Sequence, residues 1–201
     1  MWTRLKTWKR QRASSKNNKP MESSSEDVEA NAEHEAAVSV LFVCMGNICR
    51  SPMAEGVLRQ RLAERRDDLS VQVDSAGTHS YHVGAAPDRR AQVAASRRGV
   101  DISALRARRF HESDFSRFDY ILAMDRDNLE ILTAAAEQQY QSKVKLFLDF
   151  SRHNRGADVP DPYYGGAVGF ERVLDLVEEA ADSLIEDLIR TAARKGRRPR
   201  Y

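Results

Sequence analysis

The chain has few cysteines, almost no net charge and no long apolar run, and each shortage excludes a class of protein. Cysteine occurs at two of 201 positions, Cys44 and Cys49, which is too few and too clustered for a disulfide framework. No stretch of about 18 apolar residues occurs, so a membrane-spanning helix is not expected. The basic N-terminus lacks an apolar centre, so a secretory signal is not expected either.

The balance of charge argues against a nucleic-acid-binding protein. The formal net charge is only +2, whereas nucleic-acid-binding domains usually carry a marked basic excess. Hydrophobic residues make up 41% of the chain and charged residues 31%, which is typical of one globular domain with an apolar core. Two cysteines confined to a short loop indicate a reducing compartment, so we expect a cytoplasmic protein.

Charge is segregated at the two ends of the chain. Residues 1–20 hold only basic charges and residues 21–37 only acidic ones, with few apolar residues to bury. We therefore predict a disordered charged extension over 1–37, a globular domain over 38–192 and a basic tail over 193–201. The basic ends are compatible with a weak surface contact or with solvated tails that have no function.

Strand-like and helix-like patterns alternate between these ends. Apolar or alternating runs predict strands over 38–44, 70–76, 118–124 and 143–147. Helices are predicted to start at Ser51 and at Asp125, and to cover 87–98 and 168–190. This alternation favours an α/β fold with a single parallel four-stranded sheet flanked by helices. Ligands of such folds bind at the carboxyl ends of strands, and Cys44 ends the first one.

The residues from Cys44 to Arg50, CMGNICR, follow the first predicted strand and have the composition of a phosphate-binding loop. Successive backbone N–H groups ahead of a helix can surround a phosphate, and Ser51 is the predicted cap of that helix. Gly46 permits tight curvature, and Asn47 tolerates a left-handed conformation. Arg50 can bind two phosphate oxygens at once. The predicted substrate-binding residues here are Met45, Gly46, Asn47, Ile48, Cys49 and Ser51.

Cys44 is the predicted nucleophile of this loop. A free thiol is mostly protonated at neutral pH, and the thiolate is the reactive form. The loop amides, the helix dipole, Arg50 and the Ser51 hydroxyl all favour the thiolate. Cys49 lies later in the loop and is less suited to face the phosphate. The competing interpretation, an inert buried cysteine, is disfavoured by the glycine, asparagine and Ser-Pro that surround Cys44.

Hydrolysis of a phosphate ester also needs an acid that protonates the leaving oxygen. Asp161 is the candidate, because Pro160 and Pro162 stiffen its segment and two glycines follow. Tyr163 and Tyr164 are candidates for an aromatic wall that accepts a substrate ring. Two plainer interpretations stay open at this point: an ordinary Asp-Pro turn, and tyrosines that pack on the last helix.

Three motifs in combination resemble the low-molecular-weight protein tyrosine phosphatases: CMGNICRSP early in the domain, DSAGT at 74–78 and DPYYGG at 161–166. The similarity runs from Val38 to Arg190. It implies a parallel sheet flanked by helices, with the phosphate-binding loop after the first strand. It also implies hydrolysis of phosphotyrosine in a protein substrate.

The resemblance assigns roles to individual residues. Cys44 is the nucleophile that forms a phosphocysteine intermediate, Arg50 binds the phosphate, and Asp161 is the general acid and then the base. No cofactor and no metal are implied. The histidines of the predicted globular domain show no metal-ligand spacing in the sequence; they are His79, His82, His111 and His153.

Supporting roles follow from the same resemblance. Asn47 and Ser51 support the loop and the thiolate, and Ser75 helps to hold the loop. Tyr81 falls where the family often has an aromatic residue at the rim. Cys49 matches a second cysteine that can form a reversible disulfide with the first.

The chain departs from the family after Gly99, where the family often has a histidine that bonds the loop asparagine. This chain has Ser-Ala-Leu-Arg at 103–106 instead. The alternatives are arsenate reduction, which needs further cysteines, and phosphoarginine hydrolysis, whose enzymes tend to have threonine where Ile48 lies. A non-catalytic phosphate binder and a nucleic-acid-binding protein are more distant alternatives.

Overall fold

A computed structural model describes residues 38–65 and 69–196. Four parallel strands form one sheet in the order β2-β1-β3-β4, which confirms the predicted fold class. The predicted extension over 1–37 and the last part of the predicted tail, 197–201, lie outside the described residues. The strands are β1 (Val38–Cys44), β2 (Val71–Gly77), β3 (Tyr120–Ala123) and β4 (Val144–Leu146).

Five α-helices surround the sheet within the described residues. They are α1 (Arg50–Ala63), α2 (Arg89–Arg97), α3 (Asp114–Arg117), α4 (Arg126–Ala135) and α5 (Ala167–Gly196). Short 3₁₀ segments cover Gln141–Lys143 and Phe147–Phe150. The sequence did not predict α3, and α5 continues beyond its predicted end at Arg190. Across residues 38–65 and 69–196, no helix combines the length and the apolar character that crossing a membrane requires.

The central strand β1 is buried along its whole length, which explains its unbroken apolar sequence. Val40 and Phe42 on one face of β1 belong to the core that α1, α2 and α5 cover. Leu41 and Val43 on the other face belong to the core under α3 and α4. Because β1 lies between β2 and β3, a crevice forms at the carboxyl end of β1, where Cys44 ends the strand.

Candidate active site

The loop between β1 and α1 is fixed from outside by main-chain hydrogen bonds. The carbonyl of Cys44 accepts from Thr78 N–H at 2.8 Å, and the carbonyl of Met45 accepts from His79 N–H at 2.9 Å. In a trans peptide the C=O and the following N–H point in opposite directions. The N–H groups that follow these carbonyls, those of Met45 and Gly46, therefore point away from Thr78 and His79.

Asn47 holds the loop in shape from behind. It has a φ of 55°, which confirms the predicted left-handed conformation. Its side-chain amide donates to Ser51 Oγ at 2.9 Å and to Ser75 Oγ at 2.8 Å. Its Oδ1 accepts from Arg108 N–H at 2.8 Å, so a main-chain amide bonds this asparagine in a chain that lacks the family's histidine. Asn47 is 2% exposed, and all three polar contacts are internal.

The Cys44 sulfur lies at the floor of this loop with two hydrogen-bond partners. Ser51 Oγ is 3.0 Å from Sγ, and Asn47 N–H donates to Sγ over 3.3 Å. The side chain lines a pocket although the residue is only 3% exposed. The Asn47 N–H directs its positive hydrogen end at the sulfur, and the Ser51 hydroxyl can do the same.

The prediction that Ser51 caps α1 is wrong, because the N-cap is Cys49, two residues earlier, and the helix begins at Arg50. No side chain caps this helix. The Ser51 hydroxyl is directed instead to Cys44 and Asn47. The first-turn N–H groups thus have no side-chain acceptor, which is the arrangement of an anion site at a helix N-terminus.

The two cysteines have different surroundings. Both are free thiols. Burial, and then the negative charge of Asp88 and the Cys44 sulfur, raise the pKa of the Cys49 thiol to about 12. Cys49 is therefore a protonated side chain in the wall of the pocket at neutral pH.

Arg50 is buried between the sulfur and two carboxylates. Its Nη1 donates to Asp125 Oδ2 and to the Val159 carbonyl, the latter at 3.1 Å, and its Nη2 donates to Asp161 Oδ2 at 3.0 Å. Burial alone would lower the pKa of this guanidinium, but Cys44 and Asp125 outweigh burial and raise the pKa above its ordinary value. Arg50 is therefore a permanent positive charge at the base of the pocket.

Asp161 lines the same pocket and is half-exposed beside Arg50. Its Oδ2 meets Arg50, and its Oδ1 accepts from Tyr163 N–H at 3.1 Å. Tyr163 and Tyr164 form an edge-to-face pair with ring centroids 5.1 Å apart. Tyr164 is 96% exposed, so the interpretation that it packs on the last helix is wrong.

The pocket encloses about 330 Å³. The pocket lies between the loop, the Asp161 segment and the turn after β2. Most of the predicted site residues line it, whereas Asn47, Ser51 and Ser75 lie behind the loop and reach it only through hydrogen bonds. The lining residues are Cys44, Met45, Gly46, Ile48, Cys49, Arg50, Tyr81, His82, Asp161, Tyr163 and Tyr164.

A buried acid continues the hydrogen-bond network behind the loop. Ser75 Oγ, which Asn47 contacts, donates to Glu55 Oε2 at 2.6 Å. Glu55 is 2% exposed, and its other oxygen pairs with Arg59 at 2.6 Å. Burial raises the pKa of Glu55, although the Ser75 hydrogen bond and the Arg59 charge oppose that shift.

Sequence reasoning did not identify three of the residues in or next to this site. Asp125 was predicted only as a helix cap, and it does accept from Asn128 N–H at 2.8 Å, but its second oxygen binds Arg50. Its position after β3, at the same sheet edge as Cys44, is the signal that could have identified it. His82 lines the pocket next to Tyr81, and Glu55 lies on the inner face of α1. In the described part of the chain, no group of three or more potential ligands could hold a metal ion.

Fold and site together define a class of enzyme. A cysteine in a loop between a parallel strand and a helix, with an arginine in the same loop and a carboxylate above it, is the site of a cysteine-dependent protein-tyrosine-phosphatase.

Comparison with known proteins identifies the family within that class. Residues 39–194 match the model of the low molecular weight phosphotyrosine protein phosphatase family, and the chain belongs to this family. It is 40% identical to the low molecular weight protein-tyrosine-phosphatase YfkJ of Bacillus subtilis, over 75% of this chain and 96% of that protein. The human low molecular weight phosphotyrosine protein phosphatase is 42% identical over 69% of this chain and 88% of its own length.

A solved structure agrees with this assignment. The crystal structure of a protein tyrosine phosphatase from Entamoeba histolytica, with Hepes in its active site, matches with a TM-score of 0.73 and 42% identity. The match covers 76% of this chain and 97% of that chain.

Proposed function

We propose that this protein hydrolyses phosphotyrosine in protein substrates by a double displacement through a phosphocysteine intermediate. The observation that carries the proposal is the position of the Cys44 sulfur. It lies at the floor of the pocket, 3.0 Å from the Ser51 hydroxyl and 3.3 Å from the Asn47 N–H. A sulfur held this way is stabilised as a thiolate and faces the space that a phosphate would occupy.

In the first displacement, the Cys44 thiolate attacks phosphorus in line with the leaving oxygen. Loop amides and the Arg50 guanidinium bind the non-bridging oxygens, whose charge they stabilise in the transition state. Asp125 and the Val159 carbonyl hold the Nη1 side of Arg50, so the guanidinium is oriented before substrate arrives. This preorganisation reduces the cost of ordering the site during the reaction.

Asp161 donates the proton to the leaving oxygen. In the structure its Oδ2 is an acceptor for Arg50 Nη2 at 3.0 Å. A phosphate that takes this donor from Asp161 frees the carboxyl group to face the leaving oxygen. In the second displacement Asp161 takes a proton from water, which attacks the phosphocysteine and releases inorganic phosphate.

The depth of the pocket and its aromatic rim support phosphotyrosine as the substrate. Cys44 is only 3% exposed and lines the pocket, which favours an ester whose phosphate stands on an extended side chain. Tyr81, Tyr163 and Tyr164 provide ring faces around a phenyl ring. Ile48 adds an apolar wall, which suits a phenyl ring better than a guanidinium group.

Because the chemistry needs a reduced Cys44, we also propose a reducing compartment, the cytoplasm, as the site of action.

The proton-transfer step is tested with aryl phosphates of different leaving-group basicity. Asp161→Asn should lower kcat/KM for phenyl phosphate by about 10²-fold or more, and for para-nitrophenyl phosphate by much less, because nitrophenolate leaves without a proton. Equal losses for both esters would argue against a general acid at this position.

The Cys44→Ser variant should have no turnover of either ester and should still bind inorganic phosphate. Residual turnover close to that of the natural enzyme would exclude Cys44 as the nucleophile.

A further inference from the structure

An arginine outside the pocket holds the segment that carries Asp161. Arg90, in the first turn of α2, donates through Nη1 to the Tyr163 carbonyl at 2.9 Å. The N–H of the same Tyr163 donates to Asp161 Oδ1 at 3.1 Å. A displacement of Tyr163 would therefore move the hydrogen bond that orients the carboxyl group.

Arg90 is itself held on several sides although it is an exposed residue. Its Nε donates to Asp88 Oδ1 at 3.0 Å and its Nη2 to Asp88 Oδ2 at 2.8 Å, a two-pronged ion pair. Its guanidinium carbon lies 4.9 Å from the ring centroid of Phe170 and 5.4 Å from that of Tyr163. An exposed ion pair alone contributes little, but a two-pronged pair combined with stacking on two rings fixes the guanidinium plane.

The other end of this arrangement is attached to the nucleophile loop. Asp88 N–H donates to the carbonyl of Ile48, inside the loop, at 2.8 Å. Asp88 also caps α2, accepting from Arg90 N–H at 2.8 Å. A continuous series of contacts therefore runs from the Ile48 carbonyl through Asp88, Arg90 and Tyr163 to the carboxyl group of Asp161.

We propose that Arg90 is a positioning residue that sets Asp161 at the correct distance and angle from the phosphate-binding loop. The proposal rests on the proposed function, because it assumes that Asp161 is the proton donor. Lysine could not replace Arg90, because an ammonium group cannot bind both oxygens of Asp88, reach the Tyr163 carbonyl and stack on two rings at once.

The test compares Arg90→Gln with the matched variant Arg89→Gln, which removes the same charge one residue away. Arg90→Gln should lower kcat/KM for phenyl phosphate by about tenfold and for para-nitrophenyl phosphate by less than about threefold, because only the proton transfer is impaired. Inhibition by inorganic phosphate should not change, since the loop is intact. Arg89→Gln should behave as the natural enzyme with both esters.

Combination with Asp161→Asn separates positioning from a merely structural role. If Arg90 acts through Asp161, then Arg90→Gln should cause no further loss in the Asp161→Asn background. Losses that multiply in the double variant, or an Arg90→Gln loss equal for both esters, would overturn the proposal. Asp88→Asn keeps a helix-capping side chain but removes the ion pair with Arg90. It should therefore reproduce part of the Arg90→Gln effect, and it keeps the proposal testable if Arg90→Gln folds poorly.

The same data set distinguishes failure of this proposal from failure of the proposed function. An Asp161→Asn enzyme that hydrolyses phenyl phosphate as fast as the natural one would refute the proton-donor role and the positioning role with it. A large loss in Asp161→Asn together with unchanged Arg90→Gln would refute the positioning role alone.

Discussion

The contact between Ser51 and the Cys44 sulfur yields the sharpest prediction for catalysis. Ser51→Ala removes one of two hydrogen-bond partners of the sulfur, the hydroxyl at 3.0 Å, and leaves the Asn47 N–H at 3.3 Å. It removes a single buried oxygen and leaves Asn47 bonded to Ser75, so little rearrangement is expected. A hydrogen bond to a charged group is worth about 1.5–3 kcal/mol.

That energy applies most directly to the second displacement, in which sulfur leaves phosphorus as a thiolate. The loss of one donor raises the barrier by up to the full value of the bond, so kcat should fall by about 10- to 150-fold. In the first displacement the effect is smaller, because a less stabilised thiolate is also a stronger nucleophile. Binding of inorganic phosphate should be unchanged, since Ser51 lies behind the loop and does not line the pocket.

The assay is steady-state turnover of para-nitrophenyl phosphate together with the inhibition constant for inorganic phosphate. Ser96→Ala, a change of the same kind on the exposed side of α2, serves as control and should alter kcat by less than about twofold. An unchanged kcat for Ser51→Ala would refute a role for this hydroxyl in thiolate stabilisation. A parallel loss of phosphate affinity would show that Ser51 acts through the shape of the loop instead.

Two further predictions follow from shifted pKa values. Burial raises the pKa of Glu55 above its ordinary value of 4.5, so the contribution of Glu55 to stability is lost as pH rises from about 4.5 through the raised value. Glu55→Gln should lack that loss when urea unfolding is followed across these pH values, and parallel curves for both proteins would contradict the assignment. Burial first, and Asp88 next, raise the pKa of Cys49 to about 12, so iodoacetate at neutral pH should alkylate Cys44 and spare Cys49. Mass spectrometry of the labelled peptide shows which cysteine carries the alkyl group, and preferential labelling of Cys49 would contradict the prediction.

Local sequence patterns predicted correctly those elements of the fold in which every residue has the same surroundings. The predicted bounds of β1 match the observed strand because every residue in it is buried. The left-handed Asn47 was likewise predictable, since few residue types tolerate that conformation. The short helix α3 has one turn and no periodicity of its own, so no sequence pattern predicted it. Its position depends on contacts with residues distant in the chain, such as the hydrogen bond that Lys143 Nζ donates to the Phe115 carbonyl at 2.8 Å.

The parts of the site that the sequence did not predict are those that depend on contacts between residues distant in the chain. Asp125 has the local signal of a helix cap and fulfils that role, and its second role needs Arg50, which lies 75 positions away. Arg90 is one of two adjacent arginines at the start of α2, and only the fold brings it to the Tyr163 carbonyl. Ser51 was misplaced as a cap because a serine before a proline is a strong local signal, which the sulfur and the loop asparagine override.

The phosphocysteine intermediate can be tested directly by trapping it. Asp161→Asn should accumulate the intermediate with para-nitrophenyl phosphate, because a good leaving group departs without the acid whereas water is no longer activated. Rapid acid quench, proteolysis and mass spectrometry should then place one phosphoryl group on the sulfur of Cys44. Turnover in which no phosphoryl group is attached to the protein, or one attached to any residue other than Cys44, would contradict the mechanism.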